Sequence, residues 1–299
     1  MIKRALRTFL SFLMAIALMP WPLPEPCSAA GKFIVLKKVQ LEGPIVRARL
    51  TGSDSVCATQ GGTGRFAFFT VSTGSVLYHL SESGSARRFH PTLVSGLKGS
   101  AIVLDEARER IECFGSDGNA TARCTLTPAV LAVHFGSPVD MLPAGNSFSD
   151  GFFILTERGL FLTVDSEGEL VSEIKLRELS GKPEAFFARL GQIPDSGEYF
   201  AFSPNTGCVF VFTPENELRR TLGLSSILGG AQFSDVITLA DGSIVVSRGK
   251  RVTRVSGETV SDIPVASQFE EDAPLFLDAQ GGRLLVYNHL GRMLIGDMQ

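Results

Sequence analysis

The chain has 299 residues, 44% of them hydrophobic and 20% charged, with a formal net charge of −3. A soluble chain of this length buries roughly three quarters of the surface its unfolded form exposes, so a sizeable core is available. The charge is small and spread along the chain, which excludes the basic face that nucleic-acid binding requires.

The first stretch, "MIKRALRTFLSFLMAIALMPWPLPEPCSAAGKF", reads as a secretory signal peptide over residues 1–30. Lys3, Arg4 and Arg7 supply the positive start, Thr8 to Met19 the apolar run, and "SAA" before Gly31 the small residues of a cleavage site. Prolines at 20, 22, 24 and 26 end any helix well short of the roughly 20 residues that span a bilayer. A lipid anchor would use Cys27, but "PEPC" lacks the small residues that precede a lipoprotein cysteine. The expected product is residues 31–299, one periplasmic or extracellular domain with no membrane span after cleavage. The only tryptophan, Trp21, leaves with the signal.

Next comes "KFIVLKKVQLEG", Lys32 to Gly43, a strand-like run with no repeat unit of its own. Six stretches follow, each starting at a glycine turn and running into two β-rich segments. They begin at Gly64, Gly99, Gly151, Gly197, Gly242 and Gly282. "GGTGRFA" at Gly62 and Gly64 nominally fits a dinucleotide fingerprint, but it runs into a strand and reads as a hairpin turn. In the second unit, "CFGSDGNATARC" with a two-residue turn at Gly118-Asn119 would set Cys113 opposite Cys124, within disulfide reach. Asn119 also fits a glycosylation sequon, "NAT". Cys57 and Cys208 have no such partner argument and read as buried thiols.

In the third unit, "DSEGE", Asp165 to Glu169, lacks the length and closing glutamate of a calcium loop and reads as a turn. In the fifth, "SRGKRVTR" gathers Arg248, Lys250, Arg251 and Arg254 in one hairpin. Such a cluster could receive an anionic partner, or serve as a charged outer edge that discourages strand pairing. The acidic run of "EEDAP", Glu270 to Asp272, reads as a solvated loop.

A further strand precedes several units ("PTLVSGL", "DVITLAD", "APLFLDA") and another follows the second turn ("ATARCTL", "ELVSEIKL", "ELRRTLGL"). Four antiparallel strands repeated six times predict an all-β, six-bladed β-propeller. Most of the 22 phenylalanines fall in these strands, where their rings would fill the space between blades. The last unit supplies three strands and then the chain ends. Lys32 to Gly43 is expected to add the fourth, closing the ring through the two ends of the chain.

"APLFLDAQGGRLLVYNHLGRMLI" and "HPTLVSGLKGSAIVLDEARERIECFGSDG" resemble NHL repeats. Those run proline, strand, Asp-x-x-Gly turn, strand, Arg-Ile-x-x-Phe and an Asp-Gly turn. The resemblance implies a propeller that binds a protein or peptide. "LEGP" is similar to the Glu-Gly-Pro of gluconolactonase-type propellers, which implies a metal-binding role for Glu42 in the channel. Their further asparagine and aspartate ligands are not recognisable here, and one carboxylate cannot hold a divalent cation alone.

The four histidines, His79, His90, His134 and His289, lie far apart, with no His-Glu-x-x-His, Cys-x-x-Cys or Gly-x-Ser-x-Gly. The function expected is a secreted or periplasmic scaffold for a protein or peptide, with no cofactor and no catalytic constellation. The alternative is a metal-dependent lactonase- or lyase-like enzyme at the central channel, which would need a divalent cation. A third reading is an accessory subunit of an envelope complex docked through the basic hairpin.

Overall fold

A computed structural model describes residues 33–61, 65–79, 90–132, 137–193, 196–230, 232–270 and 272–298. The expected signal peptide (residues 1–30), the Gly62 and Gly64 turn and His134 lie outside the described residues.

β1 (Phe33–Gln40) comes first and belongs to the last blade. Blade 1 holds β2 (Ile45–Leu50), β3 (Ser55–Gln60), β4 (Arg65–Thr70) and β5 (Val76–His79). Blade 2 holds β6 (Pro91–Leu97), β7 (Ser100–Asp105), β8 (Arg110–Phe114) and β9 (Ala120–Thr125). Blade 3 holds β10 (Pro138–Pro143), β11 (Phe152–Thr156), β12 (Leu160–Val164) and β13 (Leu170–Lys175). Blade 4 holds β14 (Arg189–Gln192), β15 (Tyr199–Ser203), β16 (Cys208–Phe212) and β17 (Leu218–Gly223). Blade 5 holds β18 (Asp235–Thr238), β19 (Ile244–Arg248), β20 (Arg251–Ser256) and β21 (Thr259–Ile263). Blade 6 holds β22 (Phe276–Gln280), β23 (Arg283–Tyr287) and β24 (Arg292–Met298). All six sheets are antiparallel and four-stranded, so the molecule is a six-bladed β-propeller.

The closure is the one the leftover strand predicts. β1 pairs along β24 from Phe33 opposite Met298 to Gln40 opposite Arg292. No strand edge is left open on that side of blade 6.

The phase of the first unit differs from the sequence reading. In the other five units the leading glycine opens the second strand of a blade, whereas Gly64 precedes β4, a third strand. Blade 1 begins its second strand just after Gly52, and Lys32 to Gly43 was set apart correctly.

Burial explains the composition of each strand. The second and third strands are sandwiched between neighbouring blades and read as continuous apolar runs, such as "YFAFS" and "CVFVF". The fourth strands face solvent on one side and alternate, as in "LVSEIK". Six hydrophobic clusters form, one at each junction between blades, including the junction of blade 6 with blade 1. Aromatic rings bridge them as expected. Phe66 of blade 1 meets Phe114 of blade 2 at 4.5 Å between centroids, and Phe161 of blade 3 stacks on Tyr199 of blade 4 at 4.6 Å.

The expected Cys113–Cys124 disulfide is not formed; both are free thiols. Cys113 lies opposite Ala122, and Cys124 opposite Ile111. Two features move the register. The turn is longer than two residues, closed by a hydrogen bond from Gly115 N–H to Asn119 O, and a bulge interrupts the ladder between Cys113 and Phe114. Together they set the cysteines diagonally across the hairpin. Burial pushes the Cys124 thiol up to about 11, so it is a poor thiolate.

Candidate functional site

The first strand of every blade lines the axis, and the chain runs the same way along each. The links between blades and the turns between second and third strands therefore share one face, called here the linker face. The turns between first and second and between third and fourth strands share the other, the turn face. Three of the links between blades carry short helices, at Pro128–Ala132, Leu176–Ser180 and Leu224–Leu228.

Charged residues sit in these otherwise apolar first strands and meet on the axis. β2 brings Arg47 and Arg49, β10 Asp140, β14 Arg189, β18 Asp235 and β22 Asp278. Arg49 donates through Nη1 to Asp278 Oδ1 at 2.9 Å and through Nη2 to Asp140 Oδ1. Arg189 Nη2 donates to the same Asp278 oxygen at 2.8 Å, while its Nη1 lies 3.5 Å from Asp235 and its Nε 3.8 Å from Asp140. Arg47 reaches across from the linker face to the carbonyls of Val139 and Ala188 on blades 3 and 4. Three guanidiniums thus face three carboxylates, all buried or nearly so.

The carboxylates also tie blade to blade. Leu50 N–H of blade 1 donates to Asp278 of blade 6 at 2.8 Å. Leu190 N–H of blade 4 donates to Asp140 of blade 3 at 2.8 Å, and Leu277 N–H of blade 6 to Asp235 of blade 5 at 2.9 Å. Burial alone would raise the Asp140 pKa. Arg49, Arg47 and Arg189 outweigh it and hold the carboxyl at about 2. Burial disfavours the charged form of Arg49, but Asp140 and Asp278 keep it above its ordinary value. A substrate-activating base needs a carboxylate free to take a proton, and the three arginines hold Asp140 ionised.

Bulges shape the linker-face mouth. β2, β6 and β10 each carry one near the start, at Val46, Thr92 and Val139. Val46 is thereby half exposed on a strand that is otherwise buried or nearly so. An apolar groove of about 530 Å³ opens on the same face between blades 2 and 3, over Val130, Ile154 and Leu162, with Glu106, Glu109 and Glu157 at its rim. On the turn face, the channel opens into a cavity of about 220 Å³ floored by Arg49, Arg189 and Asp278.

The residues singled out in the sequence sit elsewhere. Glu42 is exposed on the turn between β1 and β2, and Gln60 Nε2 binds its backbone carbonyl. Among the described residues, no three His, Cys, Asp or Glu side chains converge as metal ligands. In the basic hairpin, Arg251 makes a bidentate pair with Asp262 at 2.8 and 2.7 Å, and Arg254 pairs with Asp241. Among the described residues, Arg248 and Lys250 donate only to backbone carbonyls, Gly229 O and Glu270 O, so the two cations with carboxylate partners are Arg251 and Arg254. The axial residues went unnoticed because their partners lie in different repeats. The available signal was a charged residue inside a strand that the period requires to be buried, as in "RARL", "VDML" and "FLDA".

Among the described residues, no helix is long and apolar enough to cross a membrane. No protein-family model and no curated protein matches the chain. Solved structures do match in fold. Virginiamycin B lyase from Staphylococcus aureus superposes with a TM-score of 0.54 at 12% identity, over 93% of this chain and 83% of that one. YCF48 bound to D1 peptide gives 0.57 at 13%, over 93% and 100%, and a streptogramin B lyase gives 0.61 at 10%, over 89% and 98%. At these identities the likeness establishes the β-propeller architecture and nothing finer.

Proposed function

We propose that the protein is a secreted or periplasmic scaffold that binds a protein or peptide partner on its linker face. The distribution of exposed apolar side chains carries this reading. Of the ten large hydrophobics left exposed among the described residues, five lie on the linker face: Val46, Leu179, Phe186, Ile227 and Leu290. The other five lie on the outermost strands, which leaves none on the turns of the opposite face. Phe186 is half exposed on the link between blades 3 and 4, its ring covered on one side by the Arg177 guanidinium. Ile227 follows on the next link.

A rigid ring supporting varied links suits recognition, and the axial ion network supplies that rigidity. The apolar groove with its acidic rim would take a partner side chain flanked by basic residues. YCF48 bound to D1 peptide is a structural neighbour that supports peptide binding on such a frame. Export rests on the positive, apolar and small-residue sequence of residues 1–30.

A metal-dependent lyase on this ring would need acidic ligands free to face a cation. The axial carboxylates instead face arginines, and Glu42 lies on an exposed turn where, among the described residues, no set of metal ligands converges. The residues present do not fit that site. The deciding experiment is affinity capture from envelope extracts of the native host, comparing the parent with a Phe186→Asp, Ile227→Asp variant. The partner should be lost from the variant while its thermal unfolding is unchanged. The same partner recovered with both would refute the assignment of the face.

A further inference from the structure

The groove between blades 2 and 3 restricts the kind of partner that the linker face can take. Blade 2 contributes Leu104 and Leu126 to its lining, blade 3 contributes Ile154 and Leu162, and the short helix that links them contributes Val130 and Leu131. A cavity of about 150 Å³ holds one benzene-sized group, so about 530 Å³ has room for about three aliphatic side chains.

Carboxylates come from both of the blades that frame the groove, Glu106 and Glu109 from blade 2 and Glu157 from blade 3, and no cation is among the lining residues. The arginines nearest in sequence on blade 2 are engaged elsewhere. The buried Asp105 holds Arg108 and Arg110, and Glu112 holds Arg110 and Arg123. Arg158, exposed beside Glu157, offsets one acid, and the lining carboxylates outnumber it.

An amphipathic helix fits these conditions. It presents apolar side chains at i, i+3 or i+4, and i+7 on one face, with charged residues on either side of that stripe. It also satisfies its own backbone. An extended segment would need a free sheet edge, and the strands that supply Leu104, Ile154 and Leu162, namely β7, β11 and β12, are each paired on both sides.

We infer that the partner enters this groove with an amphipathic helix whose apolar stripe is flanked on both sides by Lys or Arg. The inference rests on the linker-face reading and adds the element and the charge that the face selects. Carboxylates supplied from both blades favour such a helix and disfavour an acidic one of the same apolar pattern.

The probe is a labelled peptide of about 18 residues, long enough to hold a helix, with leucines at that spacing and lysines elsewhere. Fluorescence anisotropy at low salt should show micromolar binding to the purified protein. A scrambled peptide of the same composition, and one with glutamates in place of the lysines, should each bind roughly tenfold more weakly or worse. Glu106→Lys combined with Glu157→Lys should weaken the lysine peptide by about tenfold or more. Glu106→Gln combined with Glu157→Gln should fall between that variant and the parent, and both should keep the parent thermal midpoint. The inference fails if the scrambled or the glutamate peptide binds as tightly as the probe, or if both pairs of substitutions fold and leave binding unchanged. Equally tight binding of octylamine would overturn it too, by assigning the groove to a small organic cation. If the native partner is still captured by the Glu106→Lys, Glu157→Lys protein but lost from the Phe186→Asp, Ile227→Asp protein, the linker-face reading stands and this inference falls.

Discussion

Asp140→Asn should cost about 3–5 kcal/mol of folding stability, the range for removing one partner from a buried ion pair. Every group around that carboxylate is a donor. Oδ1 accepts from Met141 N–H at 3.0 Å and from Arg49, and Oδ2 accepts from Leu190 N–H at 2.8 Å. An asparagine can keep only one of these oxygens. Whichever way the amide turns, its NH₂ meets an N–H, and Arg49, Arg47 and Arg189 together lose a counter-charge. The pH dependence gives an independent reading. With a folded pKa of about 2 against 3.8 for the free group, ionised Asp140 contributes about 2.5 kcal/mol. Because the folded value is the lower one, that stability is present above about pH 4 and is lost as pH falls from there toward 2. Urea unfolding of the parent and variant between pH 2.5 and 7, at about half-unit steps, would measure both effects. A loss below about 1 kcal/mol at neutral pH, or an acid limb in the variant as steep as the parent's, would refute the role given to the axial network.

Removing residues 33–40 deletes the strand that pairs with β24 and should abolish the cooperative unfolding transition of the whole ring; scanning calorimetry showing an unchanged transition would contradict the closure. Gly168→Ala should destabilise by roughly 2–4 kcal/mol. Gly168 has φ +90°, and a Cβ there would overlap the Thr125 carbonyl oxygen of blade 2. Its midpoint should fall by about 2–4 °C per kcal/mol in a thermal melt. Intact mass after alkylation in denaturant should count Cys57, Cys113, Cys124 and Cys208 all as free thiols, with Cys57 and Cys124 unreactive in the folded protein because both are buried and raised in pKa.

The period, the strand count and the closing strand were all legible from the sequence, because each is a local pattern repeated many times. An apolar run flanked by glycine turns needs no knowledge of what it touches. The disulfide reading failed on a smaller scale. Residues 113 and 124 lie in one hairpin, but a bulge of one residue and a longer turn decide which side chains meet, and neither has a signature in "CFGSDGNATARC". Blade 1 was mis-phased because "GRFAFF" imitates the opening of a second strand. The axial network could be glimpsed one residue at a time, as Arg49 or Asp278 in apolar strands. Its pairing joins residues from five of the six blades and exists only once the ring is closed.

Strand pairing inside five of the blades joins near neighbours in sequence, so those sheets can assemble while the chain is still emerging. The sixth cannot. Residue 33 must wait for residue 298 before it finds its place, so the earliest strand to be synthesised is among the last to be seated. Until then the nascent molecule is an incomplete arc whose β24 edge has no strand beside it, the kind of open edge along which a strand from another copy can add.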